Sequence, residues 1–279
     1  MTDLSISRAA DLIAQANALV IAAGAGMGVD SGLPDFRGDS GFWRAYPALG
    51  ASGLRFTEVA SPETFRRDPA LAWGFYGHRL ALYRRTVPHD GFAILRRWAA
   101  AMAGGAFVYT SNVDGQFQRA GVDPAQIHEC HGAIGRLQCS RPCSLATWSA
   151  DGLVPDIDEA ACRWRGPLPT CPHCGALARP AILMFGDSAW IEREFEAQAE
   201  RLEDWLAGVR HPVVVELGAG THIPSVRHFG QRVVTRHGGR LVRINPRESA
   251  VALSDDVGLP MGALAGLRAI DALLPGRSG

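Results

Sequence analysis

Residues 18–23 form a short apolar run that opens directly into Gly24-Ala25-Gly26-Met27-Gly28. An unalternating apolar stretch of that length is what a strand covered on both faces requires. Glycines at its end let the backbone turn tightly and bring free N–H groups up to a bound group, typically a pyrophosphate. Taken alone, those glycines also fit a plain strand-to-helix turn with no ligand. Residues 107–110, 213–217 and 241–244 read as further buried strands, and residues 7–17, 92–103 and 192–206 carry helical periodicity between them. Strands alternating with helices predict an α/β fold, a Rossmann-like parallel sheet with helices on both faces.

Two stretches interrupt that alternation. Residues 38–88 are rich in aromatics and Arg and read as loops and helices. Residues 139–179 are dense in Cys and Pro with little periodicity, so something other than a packed core must hold them. The expected organisation is therefore a Rossmann-like domain from 1–37, 89–138 and 180–279. A small lobe is expected from the helical insert 38–88 and the Cys-bearing module 139–179. The tail after Leu274 is expected to be loose.

Charge narrows the partners. The 28 basic and 28 acidic residues cancel, which argues against nucleic acid. Every basic residue is Arg, so no side chain here can itself carry an acyl-lysine. No apolar stretch approaches the ~20 residues that span a bilayer, and residues 1–17 lack the pattern of a signal peptide. Cytoplasm is the expected compartment and a monomer the default state. In a reducing compartment, six Cys point to metal or chemistry rather than disulfides.

A plain dehydrogenase is disfavoured. Its fingerprint places an acidic residue about 20 residues beyond the glycines, at the end of a second strand. Here Asp30-Ser31-Gly32-Leu33-Pro34-Asp35-Phe36-Arg37-Gly38 follows at once, with no strand before it. Gly24-Ala25-Gly26 followed by Ser31 to Arg37 closely resembles the signature of the sirtuins, the NAD-dependent protein deacylases. Asn112-Val113-Asp114, His131-Gly132, Arg179-Pro180 with Phe185-Gly186-Asp187, and Ile244-Asn245 resemble later family motifs, in family order. The chain departs from the family pattern at Gly28, at Ser111 and at Gly218-Ala219-Gly220.

The resemblance implies that NAD is a co-substrate. Gly24, Ala25, Gly26, Asp35, Phe36, Arg37, Ser111, Asn112, Val113, Asp114, Gly218, Ala219, Gly220 and Asn245 would contact it. Phe36 would cover the reacting carbon, Asn112 would order the ribose or a water, and Asn245 would meet the adenine ribose. His131 would be the base that takes a proton from a ribose hydroxyl, which suits a group titrating near neutral pH. A satisfied core histidine is the alternative for His131. Acylated protein lysines would bind as extended peptides between Phe185-Gly186 and residues 220–223, by strand addition.

Two side-chain sets carry further chemistry. Cys139 and Cys143, with Cys171 and Cys174, can form a closed tetrahedral thiolate site for one structural zinc; Cys162 or His173 could replace one member. Cys130 reads as a small buried filler. Tyr76 and Arg79, three apart on one helix face, resemble the Tyr-x-x-Arg pair of the desuccinylase and demalonylase branch, and Ala60 sits where that branch keeps a small residue. A Tyr hydroxyl and an Arg fork can bind a carboxylate, so succinyl- or malonyl-lysine would be preferred over acetyl-lysine; plain packing is the other reading of the pair. The competing functions are an NAD-consuming mono-ADP-ribosyltransferase or NAD hydrolase, and a non-catalytic NAD or ADP-ribose sensor.

Overall fold

The computed structural model describes residues 2–35 and 38–274. The chain runs through β1 (Leu19–Ala23), β2 (Ala106–Thr110) and β3 (Ile127–Glu129). Then come β4 (Gly132–Cys139), β5 (Trp148–Ser149), β6 (Ile157–Asp158), β7 (Arg163–Trp164) and β8 (Ala178–Ile182). It closes with β9 (Val213–Leu217), β10 (Arg240–Ile244) and β11 (Val257–Leu259). Among the described residues, six strands make one sheet in the order β11-β10-β9-β1-β2-β3, and every neighbouring pair is parallel.

Burial explains the unalternating runs. Side chains alternate across a strand, and both faces of this sheet are covered. Leu19, Ile21 and Ala23 of β1 pack with Val213, Val215 and Val242 on one face, under Ile13, Trp98 and Leu267 from three helices. Those helices are Thr2–Gln15, Asp90–Ala100 and Ala263–Asp271. Val20 and Ala22 face the other way, onto Leu202 and Phe229 of the helices Arg193–Gly208 and Ser225–His237.

Four of the six strands match the apolar runs of the sequence. β3 and β11 were not anticipated, because three residues carry no readable period. The helix expected over 7–17 occupies Thr2–Gln15 instead. The tail expected to be loose lies outside the described residues.

The second lobe has its own aromatic core, built on Phe42, Tyr46, Phe65, Trp73, Phe75 and Tyr76. Its long helix, Pro69–Arg85, is capped by the Asp68 carboxylate, which accepts from the Leu71 amide at 3.1 Å. Residues 139–179, read as irregular, contribute short strands: β4 pairs antiparallel with both β5 and β8, and β6 pairs with β7. The β4–β8 ribbon has a consequence for function. It joins Gly132 and Ile182 at one end to Cys139 and Ala178 at the other. Among the described residues, no helix is long and apolar enough to cross a membrane.

Candidate active site

In an open parallel sheet, ligands collect outside the carboxyl ends of the strands where the strand order reverses. Here the chain proceeds from β1 to β2 and β3 on one side, and from β9 to β10 and β11 on the other. The reversal falls between β1 and β9, whose ends carry Gly24 and Gly218. The two turns interlock through backbone: the Gly24 amide donates to the Leu217 carbonyl at 2.9 Å and Gly26 to Gly218 at 3.1 Å. Gly218 has φ +58, and a Cβ there would stand 2.3 Å from Gly26 Cα. A side chain at that position would pry the turns apart.

A cleft of about 760 Å³ opens over these strand ends, within the ~300–1,000 Å³ usual for ligand pockets. Its wall follows the sheet edge: Arg247 and Glu248 past β10, Gly218-Ala219-Gly220 past β9, Gly24-Ala25 past β1, Ser111 to Asp114 past β2 and His131 past β3. Four strand spacings of ~4.8 Å make that row about 19 Å long, which suits an extended dinucleotide. The small lobe supplies Ala60, Tyr76, Arg79 and Tyr83, and Phe185 closes the side.

Gly26, Asp35, Gly186 and Asn245, also expected at the site, are not among the residues that line this cleft. Phe36 and Arg37 lie outside the described residues. Asn245 is fully buried; its Nδ2 donates to the Ala219 carbonyl at 2.9 Å, and its Oδ1 accepts from the amides of Arg247 and Glu248 at 3.0 Å. It braces the loops that follow β9 and β10.

Each polar group of the wall has an identifiable seat. Asn112 Nδ2 donates to the Gly24 carbonyl at 3.0 Å, coupling the ends of β1 and β2. The Asp114 carboxylate accepts from the Gln116 amide at 2.9 Å. Burial pushes its pKa up to about 6, against the pull of that amide and of Arg79. His131 sits on the turn between β3 and β4, its carbonyl accepting from the Leu183 amide at 3.0 Å. Burial lowers its pKa, opposed by a hydrogen bond to the Ser111 backbone. The imidazole is therefore held neutral near pH 7, the state a base needs. Gly132 must follow it: φ is +80, and a Cβ would come within 2.1 Å of the Ala181 carbonyl.

Arg79 is only 8 % exposed. Its Nε and Nη2 donate to the Tyr83 hydroxyl at 2.9 and 2.7 Å, and its guanidinium lies 5.2–5.8 Å from the ring centres of Phe75, Tyr76 and Tyr83. The Phe185 loop is pinned at both ends. Its amide donates to the Ala60 carbonyl at 3.0 Å, and Arg179 meets Asp187 through two hydrogen bonds of 2.7 and 3.0 Å, with both side chains almost fully buried. Removing one member of such a pair costs about 3–5 kcal/mol.

Sequence reasoning passed over Tyr83 and Glu248. Tyr83 was findable, since it lies one helical turn beyond Arg79. Glu248 is held by the Thr221 hydroxyl at 2.6 Å and by Arg227 at 3.5 Å. It is an acidic group at a strand end, as dinucleotide folds require, though reached from β10.

Glu129, beside His131 in sequence, is 5 % exposed. Burial pushes its pKa up from 4.5 to about 7, against hydrogen bonds from Gln118 and Gln198. A carboxyl raised in the folded state binds extra protons there, so its contribution is full below pH ~4.5 and is lost as pH rises through 7. His128, lowered by burial to about 4, works in the opposite direction. Comparing wild type with Glu129→Gln cancels that term. The variant is expected to gain about 3 kcal/mol relative to wild type between pH 4.5 and 7.5, levelling above that. Chemical denaturation across pH measures it; a pH-independent difference would contradict the raised value.

At the far end of the β4–β8 ribbon, the four sulfurs of Cys139, Cys143, Cys171 and Cys174 lie within 4.8 Å of one another. The Cys139–Cys174 and Cys143–Cys171 distances are both 3.7 Å. A tetrahedron of thiolates at ~2.3 Å from zinc has edges of about 3.8 Å, so the cage fits that ion. Geometry also decides between the candidate ligands: Cys162 is packed in the aromatic core instead, and His173 is not in the cluster.

The Sir2 family profile matches residues 24–206. The NAD-dependent protein deacylase of Thermococcus kodakarensis is 31% identical over 90% of this chain and 89% of its own length. NAD-dependent protein deacylase 2 of Pyrobaculum aerophilum is 33% identical over 89% and 87%. Among solved structures, a Sir2 homologue–NAD complex superposes with a TM-score of 0.72 at 24% identity, covering 97% of this chain and 94% of that one.

Proposed function

The chain belongs to the Sir2 family and is an NAD-dependent protein deacylase; on that premise we propose that it favours lysines whose acyl group ends in a carboxylate. NAD brings a ribose carbon whose bond to nicotinamide breaks readily because the leaving group is cationic. The work of the protein is positioning. Asn112 and the glycine turns hold the sugar, Val113 and Asp114 take the nicotinamide amide, and the acyl-lysine carbonyl is brought to the ribose face of the cleft. His131 then accepts a proton from a ribose hydroxyl. One water is consumed in releasing the amine, and the products are nicotinamide, free lysine and O-acyl-ADP-ribose.

Extended acylated peptides would lie between Phe185 and Ile223, which line the cleft and are 37 and 46 % exposed. Contacts to peptide backbone rather than side chains imply wide tolerance of sequence.

One observation carries the acyl preference: a buried guanidinium, Arg79, stands in the cleft wall with Tyr76 and Tyr83, and Ala60 leaves room beside them. Its described contacts include the Tyr83 hydroxyl and the rings of Phe75, Tyr76 and Tyr83. A substrate carboxylate would supply the charge-assisted hydrogen bonds that a guanidinium fork makes best. Such bonds are worth about 1.5–3 kcal/mol. Arg79→Met is therefore expected to lower kcat/KM for succinyl-lysine peptides roughly 10–150-fold while acetyl-lysine turnover holds or rises. Equal losses on both substrates would reduce Arg79 to a packing residue.

A further inference from the structure

We infer that Ser225 is a positioning residue for His131, fixing the orientation of the imidazole at the end of the cleft through its Nε2 edge. The inference rests on the reading of His131 as the ribose base. Its direct support is a contact between residues 94 apart in sequence: Ser225 Oγ lies 3.2 Å from His131 Nε2.

The chemistry of the three groups fixes their roles. A neutral imidazole has one N–H and one lone pair. A ring that acts as base through Nε2 carries its N–H on Nδ1. Nε2 is left with the lone pair, and the Ser225 hydroxyl donates to it. The ring is thereby held by the start of the helix Ser225–His237.

The fold makes that hold rigid. Ser225 is the first residue of its helix, and Cα–Cβ bonds tilt toward a helix's N-terminus. Its hydroxyl is aimed out of the helix start, over the carboxyl edge of the sheet, where His131 stands. The helix packs on β9, β1 and β2, with Val226 and Phe229 only 1 % exposed. A hydroxyl carried on so fixed an element restricts the ring far better than one on a loop.

In the reaction, the incoming ribose hydroxyl takes over the Nε2 lone pair. Its O–H bond breaks, the proton moves to Nε2, and the ring becomes imidazolium. The Ser225 O–H bond stays intact; its hydroxyl rotates and can accept from the new Nε2–H. Ser225 thus orients the base before the sugar arrives and meets the charge afterwards.

The test separates the step before the base from the step that needs it. Incorporation of labelled nicotinamide into NAD reports ribose–nicotinamide cleavage, and release of deacylated peptide reports the completed reaction. Ser225→Ala is expected to slow peptide release about ten-fold more than nicotinamide exchange, a fraction of the ~10²–10⁴ that acid–base catalysis is worth. Ser225→Thr, which keeps the hydroxyl, is expected to restore most of that loss. Equal slowing of both steps, no slowing, or no rescue by threonine would overturn the proposal. His131→Ala in parallel isolates the underlying reading: if that variant still releases peptide at the wild-type rate, the base assignment itself fails, and the role of Ser225 falls with it.

Discussion

His131→Ala is expected to slow acyl-lysine turnover by about 10²–10⁴-fold, the range that a positioned base supplies. The loss follows from where the ring sits. It ends the row of strand-terminal groups that line the cleft, at the opposite end from Glu248. Burial keeps it unprotonated at neutral pH, ready to accept. The structural cost of the change is small. The hydrogen bonds that fix the turn involve the His131 carbonyl and the backbone around Gly132, which alanine retains. Side-chain truncation removes a contact to Ser225 and leaves no buried charge behind. Steady-state rates on an acyl-peptide, with a melting curve beside them, give the answer. A variant that melts like wild type yet keeps its rate within a few-fold would remove His131 from the chemistry.

Removing the metal is expected to have the largest effect on stability. Structural zinc in small peptides is worth about 10–16 kcal/mol at neutral pH, and this cage closes the end of a segment in which β5, β6 and β7 are strands of only two residues. The ribbon carries the damage to the cleft. β4 begins at Gly132, beside the base, and ends at Cys139; β8 leaves the second Cys pair and reaches Ile182, in the cleft wall. Freed thiolates also repel one another. Chelation, or Cys171→Ser, is therefore expected to lower the melting temperature sharply and abolish activity, with zinc restoring both in the chelated protein. Metal analysis of wild type should find one zinc per chain. Protein that is metal-free yet melts and turns over normally would contradict the cage.

Much of the cleft was legible because its residues follow buried strands in the sequence. Gly24 comes directly after β1, and Ser111, Gly218 and Asn245 come directly after β2, β9 and β10. An apolar run followed by a glycine or a polar residue is a local pattern, and each motif could be seen in isolation. Asn245 shows the limit of that logic. Its position after a strand marks it as important, but only the fold reveals that its amide is consumed by the carbonyl of Ala219 and two loop amides. β3 and β11 escaped because three residues carry no period. The cysteines were readable as four ligands among six candidates; choosing against Cys162 needed distances. Ser225 left no trace at all, since its contact is made by a helix that the sheet carries across to the other end of the cleft.

The departures at Ser111 and Gly218-Ala219-Gly220 fall within this geometry. The Ser111 amide donates to the Ala23 carbonyl at 3.1 Å. Its contribution is made through the main chain, which a change of side chain leaves in place. Gly218 keeps the positive φ that the close approach to Gly26 demands.

Mass spectrometry of one reaction mixture reaches the centre of the account. With NAD and a succinyl-lysine peptide, the protein should release nicotinamide, free-lysine peptide and O-succinyl-ADP-ribose in equal amounts. Nicotinamide and bare ADP-ribose accumulating beside untouched succinyl-peptide would show that the cleft consumes NAD without using the acyl group.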